Sequence, residues 1–200
     1  MPKRAKSDDL TGGSGDVNPK WLKAFVATST NDVAIQLLVP LPVQRLNKEN
    51  KKSLVLEIFK IRYNMSVGYS SGIVTAVYVS YCVVTTKDFG LNGAPKSNIQ
   101  ATTVQQALQT GPVIDYIERT TIIYGSSTGA FKDDDPTTHE LTDEAGHGVL
   151  VATDQVYITL IPSVAGSSAV GTQWNAGVDI LYRWKEVTLE EYVGIVQSQQ

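Results

Sequence analysis

Apolar and polar residues alternate along much of this chain with the two-residue period of a half-buried β-strand. The clearest stretch runs from 54 to 65, where the apolar positions change parity after Ile58, so a β-bulge or burial on both faces is expected there. Similar patterns predict strands at 33–39, 73–84, 119–124, 149–161 and 178–186, and Pro40 and Pro42 end the first of these.

Two short segments have a helical pattern instead. Residues 102–109 contain good helix formers and are followed by Gly111 and Pro112, while Thr188 and Glu191 have the spacing of a capping box. The predicted last helix carries one apolar stripe, formed by Leu189, Tyr192, Val193 and Val196. Because a one-sided stripe must be covered, we expect it to contact a sheet or a second subunit.

With 200 residues, long unequal loops and six to eight predicted strands, the chain fits one β-sandwich domain. The predicted fold class is all-β, a single jelly-roll antiparallel β-sandwich with one or two short helices. An immunoglobulin-like sandwich is the alternative, but the chain lacks its cysteine pair and is about twice its usual ~100 residues. Residues 1–21, rich in glycine with little to bury, are predicted to be a flexible N-terminal arm, and residues 22–200 the jelly-roll domain.

The charge composition restricts how this chain can contact nucleic acid. Charged residues make up only 18% of the sequence and the net charge is −3, which excludes a protein that is basic throughout. Any such contact must be local, and the candidates are Lys3, Arg4, Lys6, Lys20, Trp21 and Lys23. A buried role for Trp21 at the start of the domain is the favoured alternative to base stacking.

The sequence offers little chemistry for catalysis, so we predict no enzyme activity, no cofactor and no metal. Residues 125–129 match the nucleophile elbow of hydrolases, but no strand-to-helix turn is predicted around them, and a surface loop is favoured. The acidic stretch 125–148 is predicted to be a solvated loop, because it is strongly polar; a divalent-cation site is the less favoured alternative, since the stretch matches no EF-hand and the spacing of His139 and His147 fits no zinc motif. Cys82 is expected to be a core residue, and no signal peptide or membrane helix is predicted.

Three parts of the chain carry a resemblance to a known family. They are residues 10–19 (LTGGSGDVNP), residues 141–154 (LTDEAGHGVLVATD), and residues 181–187 (LYRWKEV) with 191–200 (EYVGIVQSQQ). These segments resemble the capsid proteins of small circular single-stranded DNA viruses that encode a replication initiator, the CRESS-DNA viruses, particularly unclassified environmental ones. The resemblance covers both ends and the middle of the chain.

The resemblance implies a single jelly roll that assembles into an icosahedral shell of about 60 copies around single-stranded DNA, bound without sequence preference. The protein would occur in the virion, and in the host nucleus or cytoplasm during assembly, with no membrane partner. One departure is the short basic arm: about 60 arms supply roughly 180 positive charges against at least ~600 phosphates, so other contacts must help. A non-viral β-sandwich module that binds a protein or glycan through its loops remains the alternative.

Overall fold

A computed structural model describes residues 18–41, 52–69, 75–90, 92–93, 112–124, 131–166 and 172–199. Nine strands and one helix occur in these residues. In chain order they are β1 (Lys20–Thr28), β2 (Ile35–Pro40), β3 (Lys52–Tyr69), β4 (Thr75–Thr85), β5 (Val113–Tyr124), β6 (Phe131–Glu140), β7 (Val149–Val151), β8 (Gln155–Gly166), β9 (Gln173–Thr188) and α1 (Leu189–Ser198).

The strands form two antiparallel sheets. One has the order β1-β9-β3-β6, with the short β7 also paired to β3, and the other has the order β2-β8-β4-β5. Along the chain, successive strands alternate between the two sheets at every connection except β4–β5 and β6–β7. This is the connectivity of a jelly roll, with β7 as an additional strand, and it confirms the predicted fold class.

The core lies between the sheets and is built by period-two alternation. Along β9, every second residue from Trp174 to Tyr182 is buried and faces the other sheet. The Trp174 ring contacts Tyr78 of that sheet, and its indole N–H donates to the Asn31 side chain at 2.8 Å. Cys82 is fully buried, as predicted, and burial followed by the charge of Asp115 raises the pKa of its thiol to about 12.

The expected irregularity in the third strand is present. The pairing of β3 with β9 shifts register between Ile58 and Lys60, so Phe59 is an extra residue on β3. The bulge lets Ile58 on one side and Ile61 on the other both point into the core. This confirms the prediction of a bulge and explains the change of parity in the sequence.

One prediction of a loop is wrong. The acidic stretch after residue 125 was expected to be solvated loop, but residues 131–140 form β6, an edge strand paired with β3. An edge strand needs a partner on one side only and tolerates polar side chains, and it has Pro136 at a position that a central strand would exclude. Its backbone pairing and the ion pair between Lys60 and Glu140 stabilise a segment whose composition resembles a loop.

The boundaries of several other elements also differ from those predicted. Strand β5 begins at Val113 and not at 119, and the run predicted at 149–161 is divided into β7 and β8. Strand β1 was not predicted separately, and because it begins at Lys20, both Lys20 and Trp21 belong to the sheet and not to the arm. The helix predicted at 102–109 and residues 1–17 of the arm lie outside the described residues. No helix in the described ranges is long and apolar enough to span a bilayer.

Candidate nucleic-acid interface and subunit contacts

The outer face of sheet β1-β9-β3-β6 carries aromatic and basic side chains together. On β1 the alternate residues Leu22, Ala24 and Val26 pack toward the core, so the residues between them project outward. Of these, Trp21 is 43% exposed and Phe25 is 64% exposed, which is unusual for large hydrophobic side chains.

Strand pairing arranges this face as three rows that run across the sheet. Trp21 pairs with Leu181 and then Lys60, Lys23 pairs with Asp179 and then Arg62, and Phe25 pairs with Gly177 and then Asn64. We call these residues the outer-face patch, and they are Trp21, Lys23, Phe25, Lys60, Arg62, Asn64, Gly177, Asp179 and Leu181. Neighbouring strands lie ~4.8 Å apart, and residues two apart on one strand lie ~6.7 Å apart, so each row is within reach of the next.

The patch is held together by contacts of Arg62. Its guanidinium carbon lies 5.2 Å from the centre of the Trp21 ring, a cation–π arrangement, and its Nε donates to Asp179 at 3.2 Å. The Arg62 side chain remains 46% exposed, so its outer surface is open to solvent. Lys23 lies exposed between the two aromatic side chains and has no ion-pair partner among the described residues.

The charge of this face differs in sign from that of the whole chain. Five basic side chains lie on it, against four acidic ones that include Glu191 of the helix packed on this face: Lys23, Lys60, Arg62, Arg183 and Lys185 against Glu57, Glu140, Asp179 and Glu191. Among the described side chains, the face is therefore net positive, whereas the whole chain carries −3. A local positive surface is the kind that attracts a polyanion.

The structure places half of the nucleic-acid candidates. Lys3, Arg4 and Lys6 lie outside the described residues. Trp21 and Lys23 lie side by side on the outer face, and the favoured buried role for Trp21 is wrong because its outward parity leaves it exposed. Lys20 is exposed at the start of β1, but it has the opposite parity to both.

Of the patch members, sequence reasoning identified only Trp21 and Lys23, and the most important ones that it missed are Phe25 and Arg62. The alternation of Trp21, Lys23 and Phe25 is visible in the sequence and could have identified Phe25. No local pattern could have shown that Arg62 lies above Trp21, because the two strands are joined only through β9.

A buried acid closes one end of this face. Glu57 is fully buried and accepts from Arg183 Nε at 2.7 Å and from the Gly148 N–H at 3.2 Å, and Lys185 Nζ lies 3.6 Å away. Burial acts to raise the pKa of Glu57, but the Arg183 and Gly148 hydrogen bonds and the two positive charges outweigh it, so the pKa lies below 4.5. The guanidinium of Arg183 also lies 5.0 Å from the ring of Phe59.

The segment after β6 is fixed against this acid by a glycine. A Cβ at Gly148 would lie 2.2 Å from the carbonyl oxygen of Ile58, so only glycine fits at this approach. In the preceding turn the Asp143 carboxylate accepts from the N–H groups of Ala145 and His147, and Asp143 donates to the His147 carbonyl. Through these contacts His147 closes the turn, with Asp143 as the partner of both its N–H and its carbonyl.

A second polar cluster joins the two sheets. Asp115 of β5 accepts from the Tyr63 hydroxyl of β3 at 2.9 Å, and its Oδ2 lies 2.8 Å from His139 Nδ1 of β6. The Tyr63 ring is buried and meets the His139 ring edge to face at 5.5 Å. Burial, then the charge of Asp115, raises the pKa of Tyr63. This cluster connects the two sheets at the edge of the sandwich. No group of three or more potential metal ligands occurs in the described ranges.

Helix α1 is anchored to its own chain. The capping box is present as predicted: the Thr188 hydroxyl accepts from the Glu191 N–H at 3.2 Å, and the Glu191 carboxylate accepts from the Thr188 N–H at 2.8 Å. At the other end, the Gln199 side chain donates to the Leu150 carbonyl and accepts from the Ala152 N–H. The helix is therefore fixed to the sheet at both ends.

The predicted apolar stripe divides into two parts. Tyr192 and Val196, together with Ile195, pack on a small cluster formed by Val55, Ala152 and Val187. Leu189 and Val193, one helical turn apart, are each 46% exposed and face away from that cluster. Of the four residues predicted to contact another subunit, two are thus partly covered by the same chain, and two form an exposed ridge.

Comparison with known proteins adds likenesses in structure only. No family model matches the chain, and no curated protein matches it. It is similar to VP1 of Trichodysplasia spinulosa-associated polyomavirus, at 12% identity over 90% of this chain and 100% of that chain, with a TM-score of 0.45.

Two structures from Merkel cell polyomavirus are also similar. A virus-like particle matches at 12% identity over 94% of this chain and 83% of that chain, with a TM-score of 0.46. A complex of VP1 with GD1a oligosaccharide matches at 12% identity over 90% and 100%, with a TM-score of 0.44. These neighbours are viral capsid proteins. With such identities and TM-scores below 0.5, the likenesses assign no function to this chain.

Proposed function

We propose that this protein is a structural capsid protein whose copies assemble into a small icosahedral shell that encloses single-stranded DNA. The observation that carries the proposal is the distribution of exposed large hydrophobic side chains over separate parts of one jelly roll. Apart from Trp21 and Phe25 of the outer-face patch, they lie on β2, on β5 and on α1: Leu38, Tyr116, Ile122, Leu189 and Val193.

This distribution fits a closed shell better than a simple dimer. A dimer with two-fold symmetry uses the same patch on both subunits, so one apolar surface is enough. A subunit of a closed shell must contact several different neighbours at once, and it needs several such surfaces. Strands β2 and β5 and the helix each present one here, and the resemblance of the terminal and central segments to CRESS-DNA virus capsids supports the same function.

The finer details follow from that resemblance. A shell of about 60 copies, a location in the virion, and assembly in the host nucleus or cytoplasm belong to the proposal. The protein acts by association and not by catalysis. DNA is held without sequence preference by the basic residues Lys3, Arg4 and Lys6 of the arm, and by Lys20, Trp21 and Lys23.

Assembly of the purified full chain tests the proposal. We expect a large species in size-exclusion chromatography and uniform small spheres in negative-stain electron microscopy. A double variant, Leu189→Ser with Val193→Ser, removes the exposed ridge on α1 without touching the packed side of the helix, and we expect it to weaken or abolish the spheres. Gln197→Ser, exposed on the same helix, is the matched control and should assemble normally.

The outcomes separate the proposal from its alternative. A chain that stays monomeric or trimeric across protein concentrations, salt concentrations and added DNA would refute the capsid proposal. Saturable binding of a protein or glycan by such a species would instead identify a β-sandwich binding module. Spheres that are unchanged by the double variant would exclude α1 as a subunit contact.

A further inference from the structure

We infer that the outer-face patch binds unpaired nucleotides by stacking their bases on Phe25 and on the Trp21–Arg62 pair. The inference rests on the proposed function, because it takes single-stranded DNA as the bound polymer, and it identifies the surface that holds the DNA. The patch lies on the folded domain, so it supplies contacts in addition to the short basic arm.

Phe25 has the geometry of a stacking residue. It is 64% exposed, more than any other large hydrophobic side chain in the described residues, and its neighbour across the pairing is Gly177. Gly177 has no side chain, so no side chain separates Phe25 from Asn64 in this row, although the space above Gly177 is narrow, since a Cβ there would lie 3.6 Å from the Asn64 Cβ. A planar base can stack on the Phe25 ring, and the Asn64 amide in the same row can donate to or accept from the base edge.

Trp21 provides a second stacking position on the same strand. Its ring is already in contact with the Arg62 guanidinium at 5.2 Å, and Arg62 is held by Asp179, so the pair is ordered before any ligand binds. Indole rings and guanidinium planes both stack on bases. Ordering in advance lowers the entropic cost of binding.

The spacing of charge matches a nucleotide chain. Lys23 lies on β1 between Trp21 and Phe25, with all three side chains on one face. The two aromatic residues are four positions apart, or ~13 Å along the strand. An aromatic, basic, aromatic sequence of this kind offers a base, a phosphate and another base their partners in turn, whereas Lys60 in the Trp21 row is already paired with Glu140.

The chemistry selects single strands over duplexes. Bases in a duplex are stacked on one another, so their faces cannot reach an aromatic side chain on a flat sheet without unstacking. A protein partner could also use tryptophan, phenylalanine and arginine. The net positive charge of the face, in a chain that is acidic overall, favours the polyanion.

Binding of a fluorescein-labelled oligothymidylate of about 20 nucleotides to the full chain tests the inference by fluorescence anisotropy. We expect Phe25→Ala and Trp21→Ala each to weaken binding by about 5- to 150-fold, the range that corresponds to loss of one stacked base. Leu38→Ala, a matched exposed apolar residue on the other sheet, should bind like the unaltered chain. A duplex of the same length should bind more weakly and be insensitive to Phe25→Ala.

The salt dependence separates stacking from charge. Lys23→Gln should lower the slope of log affinity against log salt concentration by about 0.7, the value for one phosphate contact on a single strand, while Phe25→Ala should leave the slope unchanged. Phe25→Tyr keeps an aromatic ring and should retain binding. Unaltered melting temperatures of all variants establish that the fold is intact.

Particle formation is measured on the same variants. The inference is overturned if Phe25→Ala still forms spheres, if those spheres hold the normal amount of nucleic acid, and if the affinity for oligothymidylate is unchanged. The capsid proposal would still stand in that case. Phe25-dependent binding by a chain that never forms spheres overturns the capsid proposal instead. Loss of spheres with unchanged oligothymidylate binding would show that Phe25 is a subunit contact, and it too overturns the inference.

Discussion

Replacing the buried acid by its neutral isostere, Glu57→Gln, should destabilise the fold by about 2 to 3 kcal/mol at neutral pH. Glu57 makes a charged hydrogen bond to Arg183 at 2.7 Å and accepts from the Gly148 N–H at 3.2 Å. A hydrogen bond to a charged group contributes about 1.5–3 kcal/mol, against about 0.5–1.5 kcal/mol for a neutral one. Glutamine keeps the volume of the glutamate side chain, but its hydrogen bonds are neutral, so the difference in energy between a charged and a neutral hydrogen bond is lost. In addition, the amide N–H group of glutamine faces another donor, at Arg183 or Gly148.

The loss stays below that for a fully buried ion pair. Breaking such a pair from one side costs about 3–5 kcal/mol, because the remaining charge is left without water. Here the side chains of Arg183 and Lys185 are each about one-third exposed and can turn toward solvent. At about 2–4 °C per kcal/mol for a chain of this size, the melting temperature should fall by about 4–12 °C.

The pH dependence of the difference gives a second test. Because the folded-state pKa of Glu57 lies below 4.5, its charge contributes stability above that pH, and the contribution is lost as the pH falls through the folded-state pKa. The difference between the two proteins should therefore be constant near neutral pH and shrink below about pH 4.5.

Both the loss of stability and its pH dependence are measured by urea unfolding, followed by tryptophan fluorescence. The measurement is made at neutral and acidic pH and at several protein concentrations. Glu144→Gln, an exposed acid in the adjoining turn, is the matched control and should change the free energy of unfolding by less than about 0.5 kcal/mol. Equal stabilities at neutral pH, or a difference that does not change with pH, would refute the reasoning about Glu57.

Three further substitutions should act through single contacts. Gly148→Ala should cost about 3 kcal/mol, read from urea unfolding, because the new methyl group overlaps the backbone carbonyl of Ile58, which cannot move as a side chain can. Tyr63→Phe removes the donor to Asp115 and should cost about 1.5 kcal/mol by the same measurement. Thr188→Ala removes the N-cap of α1 and should cost about 1 kcal/mol, seen as faster hydrogen exchange in that helix.

The first of these has a control within the chain, and each has an outcome that would refute it. Gly194→Ala places a methyl group where nothing lies within 4 Å, and it should be neutral or stabilising in the helix. If Gly148→Ala were equally tolerated, the close approach to Ile58 would not be a constraint. If Tyr63→Phe left the stability unchanged, the hydrogen bond of Asp115 to His139 would be sufficient. If Thr188→Ala left the rate of hydrogen exchange in α1 unchanged, the contacts of Gln199 would be sufficient to hold the helix.

Much of the fold could be predicted because strand periodicity is a local property of the chain. The alternation after Ile58 placed both β3 and its bulge, and the spacing of Thr188 and Glu191 placed the start of α1. The buried environment of Cys82 followed from its apolar neighbours in the same way. The assignment of these segments to a jelly roll then rested on their number and lengths.

The features that the sequence could not determine depend on which strands become neighbours. Strand β6 has no apolar alternation, and its existence depends on pairing with β3 at the sheet edge. Glu57 is buried only because Arg183 and Gly148, distant in the chain, converge on it.

The same holds for the two surfaces on which the functional proposals depend. The stripe on α1 reads as one face in the sequence, but the position of the sheet beneath it covers Tyr192 and leaves Leu189 exposed. Alternation fixed which residues of β1 share a face, whereas the placement of Arg62 over Trp21 required β9 to lie between their strands. Periodicity acts between residues a few positions apart, and these contacts join residues that only the folded sheet brings together.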